Sequence, residues 1–278
     1  MQTISLESKP ILQTFWKSLL VGAAYAVMLA ITKLLLSETV DAQSFLWSFI
    51  GSVAIGLALG SLSASMPATW SRHMLVWGSI IFFNIASLTI EGHIYAPNLI
   101  KGSLIILLIQ QFAVALVTTW VIVKLFAPIV NTAPMTSIQR SWFSWLWRFV
   151  LSVLSYIFFY YFFGAINYLL VTGPYYETHA GGLVVPAQNI IIQAELIRAV
   201  LIALSIIPFL LNFPRKGRSK MWLTGLILFA VGGVTPLLAQ VGSLPSVVLA
   251  ASSVEIFCQN FFTGVVTARL ISIDVTKQ

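Results

Sequence analysis

Eight apolar segments, each about twenty residues or longer, dominate this chain, and they fix what it can become. A helix needs roughly 20 mainly apolar residues to cross a bilayer. The segments run over 16–36, 44–66, 74–95, 101–127, 146–172, 187–212, 221–241 and 245–271. Between them lie short polar or turn-forming pieces: SETVDAQ, PATWSRH, the bend at Pro97-Asn98, PIVNTAPMTSIQRS, TGPYYETHAGGLVVP, PRKGRSK and VGSLP. The expected fold is therefore an all-α, polytopic membrane helix bundle of about eight transmembrane helices.

Composition excludes the alternatives. Only 8% of the 278 residues are charged and 59% are hydrophobic, whereas a soluble domain carries charge on about a quarter of its residues. The excess of fifteen Lys and Arg over eight Asp and Glu would suggest nucleic acid in a soluble chain. Here it follows the membrane instead, and no nucleic-acid partner is expected. The apolar stretch after Lys17 is longer than a signal-peptide core and lacks a small-residue cleavage site, so it reads as the first span. Cys258 is the sole cysteine, which rules out an internal disulfide or a CxxC metal pair.

The basic residues also set the orientation. With the N-terminus inside, Lys9, Lys17, Arg72, Lys124, Arg140, Arg148, Arg215, Lys216, Arg218, Lys220, Arg269 and Lys277 fall on the cytoplasmic side. Only Lys33 and Lys101 fall outside, and Arg198 lies within a span. Cytoplasmic loops gather Lys and Arg, and adding or deleting one span would scramble the separation. The reading is a multi-pass protein of the cell (inner) membrane with both termini cytoplasmic.

The chain divides into residues 1–130 and 141–278, four spans each, with an outer loop at 173–186. Trp16-Lys17 and Tyr25 match Trp147-Arg148 and Tyr156 at the same spacing. IQQFAVALVT aligns with CQNFFTGVVT, pairing Gln110 with Gln259 and Gln111 with Asn260. Four spans per half bring both halves in from the same side, so the expected internal repeat is parallel, about an axis along the membrane normal. Gly56-x-x-x-Gly60 in span two suits close packing inside the bundle. Pro208 and Pro236 each remove a backbone hydrogen bond and are expected to kink spans six and seven.

Charges inside hydrocarbon are costly and mark functional candidates. Glu195 and Arg198 are three apart and are expected to pair. One arginine cannot neutralise Glu91, Glu195 and Glu255 together, so one carboxyl must bind a cation, carry a proton or find another partner. Ser252, Glu255, Gln259 and Thr263 form a polar stripe on span eight, and Asn84, Ser87 and Glu91 form another on span three. Inward-looking stripes imply a polar cavity or interhelical hydrogen bonds. The expected substrate-binding set is Glu255, Glu195, Arg198, Glu91, Gln259, Asn260 and Asn84.

A second constellation, Glu91 with His93 and Glu177 with His179, has the ligand chemistry for zinc, iron or manganese. The aromatic run YIFFYYFF in span five reads as a lipid-facing or packing surface. Walker, GxSxG, HExxH and dinucleotide fingerprints are absent. AELIRA resembles part of the glutamate-rich motif of membrane CAAX-type proteases, but it lacks their second adjacent glutamate and downstream histidines, so that family is not carried over.

The leading functional reading is binding or transport of a small molecule or ion through an outward-facing polar cavity between the halves. The alternatives are a structural, assembly or regulatory subunit of a membrane complex, and a membrane-embedded metal-site enzyme.

Overall fold

The structure, a computed structural model, describes residues 11–35, 42–95, 102–127, 140–215 and 217–272. Long apolar segments leave the backbone no outside hydrogen-bond partner in hydrocarbon, and the helix satisfies every N–H and C=O within the segment. The described residues accordingly form helices and no strands: α1 (Ile11–Leu35), α2 (Ala42–Ala64), α3 (Trp70–Tyr95), α4 (Leu104–Phe126), α5 (Trp142–Asn167), α6 (Gly173–Glu177), α7 (Gln188–Asn212), α8 (Gly217–Phe229), α9 (Thr235–Ala239) and α10 (Ser246–Ile271). π-helical turns at Tyr168–Thr172 and Ala230–Val234 join α5 to α6 and α8 to α9. Eight helical stretches are thus long and apolar enough to cross a membrane, the fifth running Trp142–Glu177 and the seventh Gly217–Ala239. Pro97, Asn98, Lys9, Lys101, Lys216 and Lys277 lie outside the described residues.

The packing is inside-out only in its solvent. Ile105, Ile109, Phe112, Trp120, Phe158, Leu169 and Val254 point outward and are exposed, a surface suited to lipid. Inside, α3 and α7 form the central seam, with Trp77 and Phe209 rings 6.0 Å apart. Within the first half α1 packs on α2 and α4, and α3 on α4; within the second α5 packs on α7 and α10, and α8 on α10. Across the halves α2 packs on α9 as α3 does on α7.

Helix α1 meets α2 with almost no side chain between them. A Cβ placed on Gly56 would fall against the Gly22 nitrogen and the Ser18 carbonyl oxygen, so Gly56 and Gly60 serve internal packing as the motif suggested. Basic side chains close helix C-termini, where the unpaired carbonyls and the helix dipole favour a cation. Lys17 Nζ donates to Leu125 O at the end of α4 (2.8 Å), while Arg148 donates to Leu270 O and Arg140 to Ile271 O (3.2 Å) at the end of α10.

Two expectations gain local detail. Helix α7 continues through Pro208 to Asn212, whose side-chain amide donates to the Pro208 carbonyl (2.8 Å). Pro236 instead sits just beyond the π-helical turn, where a wider turn absorbs the missing N–H. The segment 173–186, expected as a loop, begins as helix α6. It turns at His179 (φ 52°), and Val184 N donates to Tyr95 O (3.0 Å), which folds the segment over the end of α3.

Candidate functional site

The polar stripe of α3, spaced by three and four residues, faces the seam with α7 and meets its one arginine there. Arg198 Nη1 donates to both Glu195 oxygens (2.6 and 2.8 Å), Nη2 to Glu91 Oε2 (2.6 Å) and Nε to Ser87 Oγ (3.2 Å). The guanidinium also lies 5.8 Å from the Tyr156 ring centroid and 5.6 Å from that of Tyr160. Tyr156 Oη donates to Glu195 Oε2 (3.4 Å). A planar fork of five donors suits two carboxylates at once. The expected Glu195–Arg198 pair therefore extends to a third member, Glu91, and the cluster carries one formal negative charge. Glu195 is buried, whereas 29% of the Glu91 side chain is accessible, so the cluster touches a cavity through Glu91.

Asn84, one turn further in, donates to Ile80 O (2.7 Å) and Ser205 Oγ (3.1 Å). Gly232, in the π-helical turn, leaves its Cβ position 3.2 Å from Asn84 Oδ1 and 3.3 Å from Asn260 Nδ2. A side chain there would push these two amides off the wall they share.

Glu255 belongs to a separate group. Gln259 Nε2 donates to its Oε1 (2.7 Å), and Asn167 Nδ2 donates to its Oε2. The amide partnership expected along the α10 stripe is present, with Asn167 added from α5. Both partners are neutral, and among the described residues no basic side chain forms an ion pair with Glu255.

The two groups face a common space. A cavity of about 450 Å³ is walled by Lys33, Glu91, Gln111, Gln240, Glu255 and Gln259, together with Tyr25, Tyr95, Tyr160 and Tyr176. Its walls come from both halves, mostly toward the C-terminal ends of α1, α3 and α5 and the N-terminal ends of α2, α4 and α10, with Tyr176 of α6, Leu183 and the stretch around α9 completing them. Gln111 Oε1 is buried there with no hydrogen-bond partner among the described residues. A second space of about 370 Å³ adjoins it, sharing Tyr95, Tyr160, Tyr176, Ser252 and Glu255.

Of the expected substrate-binding set, Glu91, Glu195, Arg198 and Asn84 gather at the α3–α7 seam, Gln259 and Asn260 reach it from α10, and Glu255 sits further along α10 in its own group. The expected metal set is not assembled. Glu91 is held by Arg198, His179 Nδ1 contacts its own loop at Leu183 O (3.1 Å), and no group of three or more His, Cys, Asp or Glu side chains among the described residues could hold a metal ion. Tyr156, Tyr160 and Asn167 were not anticipated. Tyr156, Tyr160, Gly164 and Asn167 recur at intervals of three or four along α5, a helical face hidden in sequence by the intervening phenylalanines. Phe158 and Phe162 take the exposed side of the same helix, as expected of that run. No family model, curated protein or solved structure matches this chain.

Proposed function

We propose that this multi-pass protein binds a small substrate, and moves it across the membrane, through the cavity between its two four-helix halves. The observation that carries the reading is the 450 Å³ space itself, walled by Glu91, Glu255, Lys33, Gln111 and Gln240 in an otherwise apolar bundle. Polar groups deep in a membrane segment are costly unless they serve packing or a pathway. Here several of them border space as well as one another, and Gln111 Oε1 has no hydrogen-bond partner among the described residues.

The orientation and the repeat belong to the same proposal. Both termini face the cytoplasm and the cavity faces outward, as the separation of basic residues requires. The parallel repeat is supported by the neighbour pattern: moving each span four places along the chain turns α1–α2, α1–α4 and α3–α4 into α5–α7, α5–α10 and α8–α10. The seam contacts α3–α7 and α2–α9 exchange in the same way. Lys17 at the end of α4 and Arg148 at the end of α10 are matched residues in matched roles.

Two measurements test this. Reporter fusions after Lys220 and Gln278 should read cytoplasm, and one after His179 should read outside; an outside signal at Gln278 removes the topology. For the cavity, Cys258→Ala provides a cysteine-free background. A new thiol at Ser252 should react in intact cells with a membrane-impermeant maleimide, while one at buried Ser205 should react only after denaturation. An unreactive Ser252→Cys in folded protein would remove the outward-facing cavity.

A further inference from the structure

The smaller of the two adjoining spaces has a chemistry of its own. About 370 Å³ in volume, it lies between the end of α5, the start of α7 and α10, and its walls include Tyr95, Tyr160, Tyr161, Tyr168 and Tyr176 around the Glu255 carboxylate. From these features the geometry points to a monovalent organic cation as occupant: an ammonium group on an apolar body, its charge set against Glu255. The inference rests on the reading of this cavity system as a substrate site and names the class of substrate.

Charge comes first. Asn167 and Gln259 hold both oxygens of Glu255 by N–H donation, and neither amide carries a charge. The nearby arginine is already shared between Glu91 and Glu195, and that cluster is itself negative by one formal charge. Lys33 borders the larger space but not this one, so an anion here would meet net repulsion, and a neutral ligand would leave the carboxylate uncompensated. A cation supplies what is missing.

Shape and wall chemistry then select the kind of cation. A bare metal ion needs a tight shell of oxygen ligands, and this space is wide, with tyrosines and apolar side chains making up most of its wall. Tyrosine faces attract ammonium groups through the ring quadrupole, the arrangement by which aromatic cages hold quaternary ammonium ligands. Tyr160 already stacks on Tyr156 (centroids 6.2 Å apart) and faces Arg198, so the rings left for a ligand are those of Tyr95, Tyr161, Tyr168 and Tyr176. Tyr168 and Tyr176 approach each other at 5.9 Å across the π-helical turn, an irregularity that carries Tyr168 round to the cavity wall. Leu169, the next residue, is exposed toward lipid and also borders this space, which gives an apolar body a place to lie.

The probe is benzyltrimethylammonium, with neopentylbenzene as its uncharged isostere, titrated into the purified full chain in detergent by calorimetry. The cation should bind and the isostere should not. Glu255→Gln should weaken binding at least about tenfold, and Tyr168→Leu by about two- to thirtyfold. Glu255→Gln should still fold, because the amide of Asn167 or Gln259 can rotate to offer its oxygen to the new NH2 group; a monodisperse, helical protein verifies this. Glu255→Asp keeps the charge and should retain measurable binding, so the comparison survives if the glutamine variant misfolds. Equal binding of the isostere, or unchanged affinity in folded Glu255→Gln, would overturn the proposal. Displacement of the probe by millimolar sodium would also overturn it, in favour of an inorganic cation. If Ser252→Cys is labelled from outside yet no probe binds, the organic-cation assignment fails and the cavity stands. If Ser252→Cys is not labelled in folded protein, the cavity reading itself fails. Protection of that thiol by the probe supports both.

Discussion

Replacing Arg198 with methionine should cost about 3–5 kcal/mol of stability, the usual penalty for leaving a buried ion-pair partner alone. The guanidinium makes four hydrogen bonds, three of them to carboxylate oxygens, and its neighbour Glu195 is buried within the seam. Methionine fills similar volume but leaves two carboxylates facing each other without a cation. Adding Glu195→Gln should recover most of the loss, because the deeper charge is then gone. Glu91 remains, but its partial exposure lets it reach the cavity. The triple variant with Glu91→Gln should recover the remainder. Unfolding in mixed micelles, followed by helical signal across the four proteins, gives the comparison. Double and triple variants no more stable than Arg198→Met would mean that the three residues are not coupled.

Gly56→Ala should destabilise the bundle by about 1–3 kcal/mol, or more, although it adds one methyl group. The new Cβ would meet the backbone of α1 at Gly22 and Ser18, and backbone cannot move aside as a side-chain tip can. The two helices would have to separate and lose contact along the crossing. Gly78→Ala is the matched control. Its nearest neighbour, Thr119 Oγ1, is 3.8 Å away, an ordinary contact, so the change should stay within about 0.5 kcal/mol. Thermal unfolding of both variants in the same detergent tests the contrast. A Gly56→Ala protein of unchanged stability but altered oligomeric state would move this glycine from the interior to an interface between copies.

Particular residues show what could be read in advance. Glu195 and Arg198 were legible as partners because three positions along a helix bring side chains together whatever surrounds them. Ser252, Glu255 and Gln259 were legible as a stripe for the same reason, and the Gln259–Glu255 bond follows from it. Glu91 could be identified as costly but not assigned to Arg198, because that contact spans 107 positions in sequence. Asn167 was hidden for the same reason, since its bond to Glu255 joins α5 to α10 across 88 positions. The Glu91, His93, Glu177 and His179 set failed to assemble because closeness in type and spacing carries no information about which way a loop turns. His179 adopts a left-handed backbone and contacts its own loop instead.

Hydropathy over about twenty residues sets the number and approximate limits of the helices, because the hydrogen-bond demand of the backbone in hydrocarbon is local. The sequence by itself therefore determined eight apolar helices, their order, the polar faces on α3, α7 and α10, and the small-residue seam in α2. The tertiary structure alone decided that Arg198 serves two carboxylates, that Tyr156, Tyr160 and Asn167 join the polar interior, and that Glu255 faces space with only amides beside it. Rotation and depth of each helix are set by packing against its neighbours, a sum over many weak contacts from distant parts of the chain, and no local pattern encodes that sum.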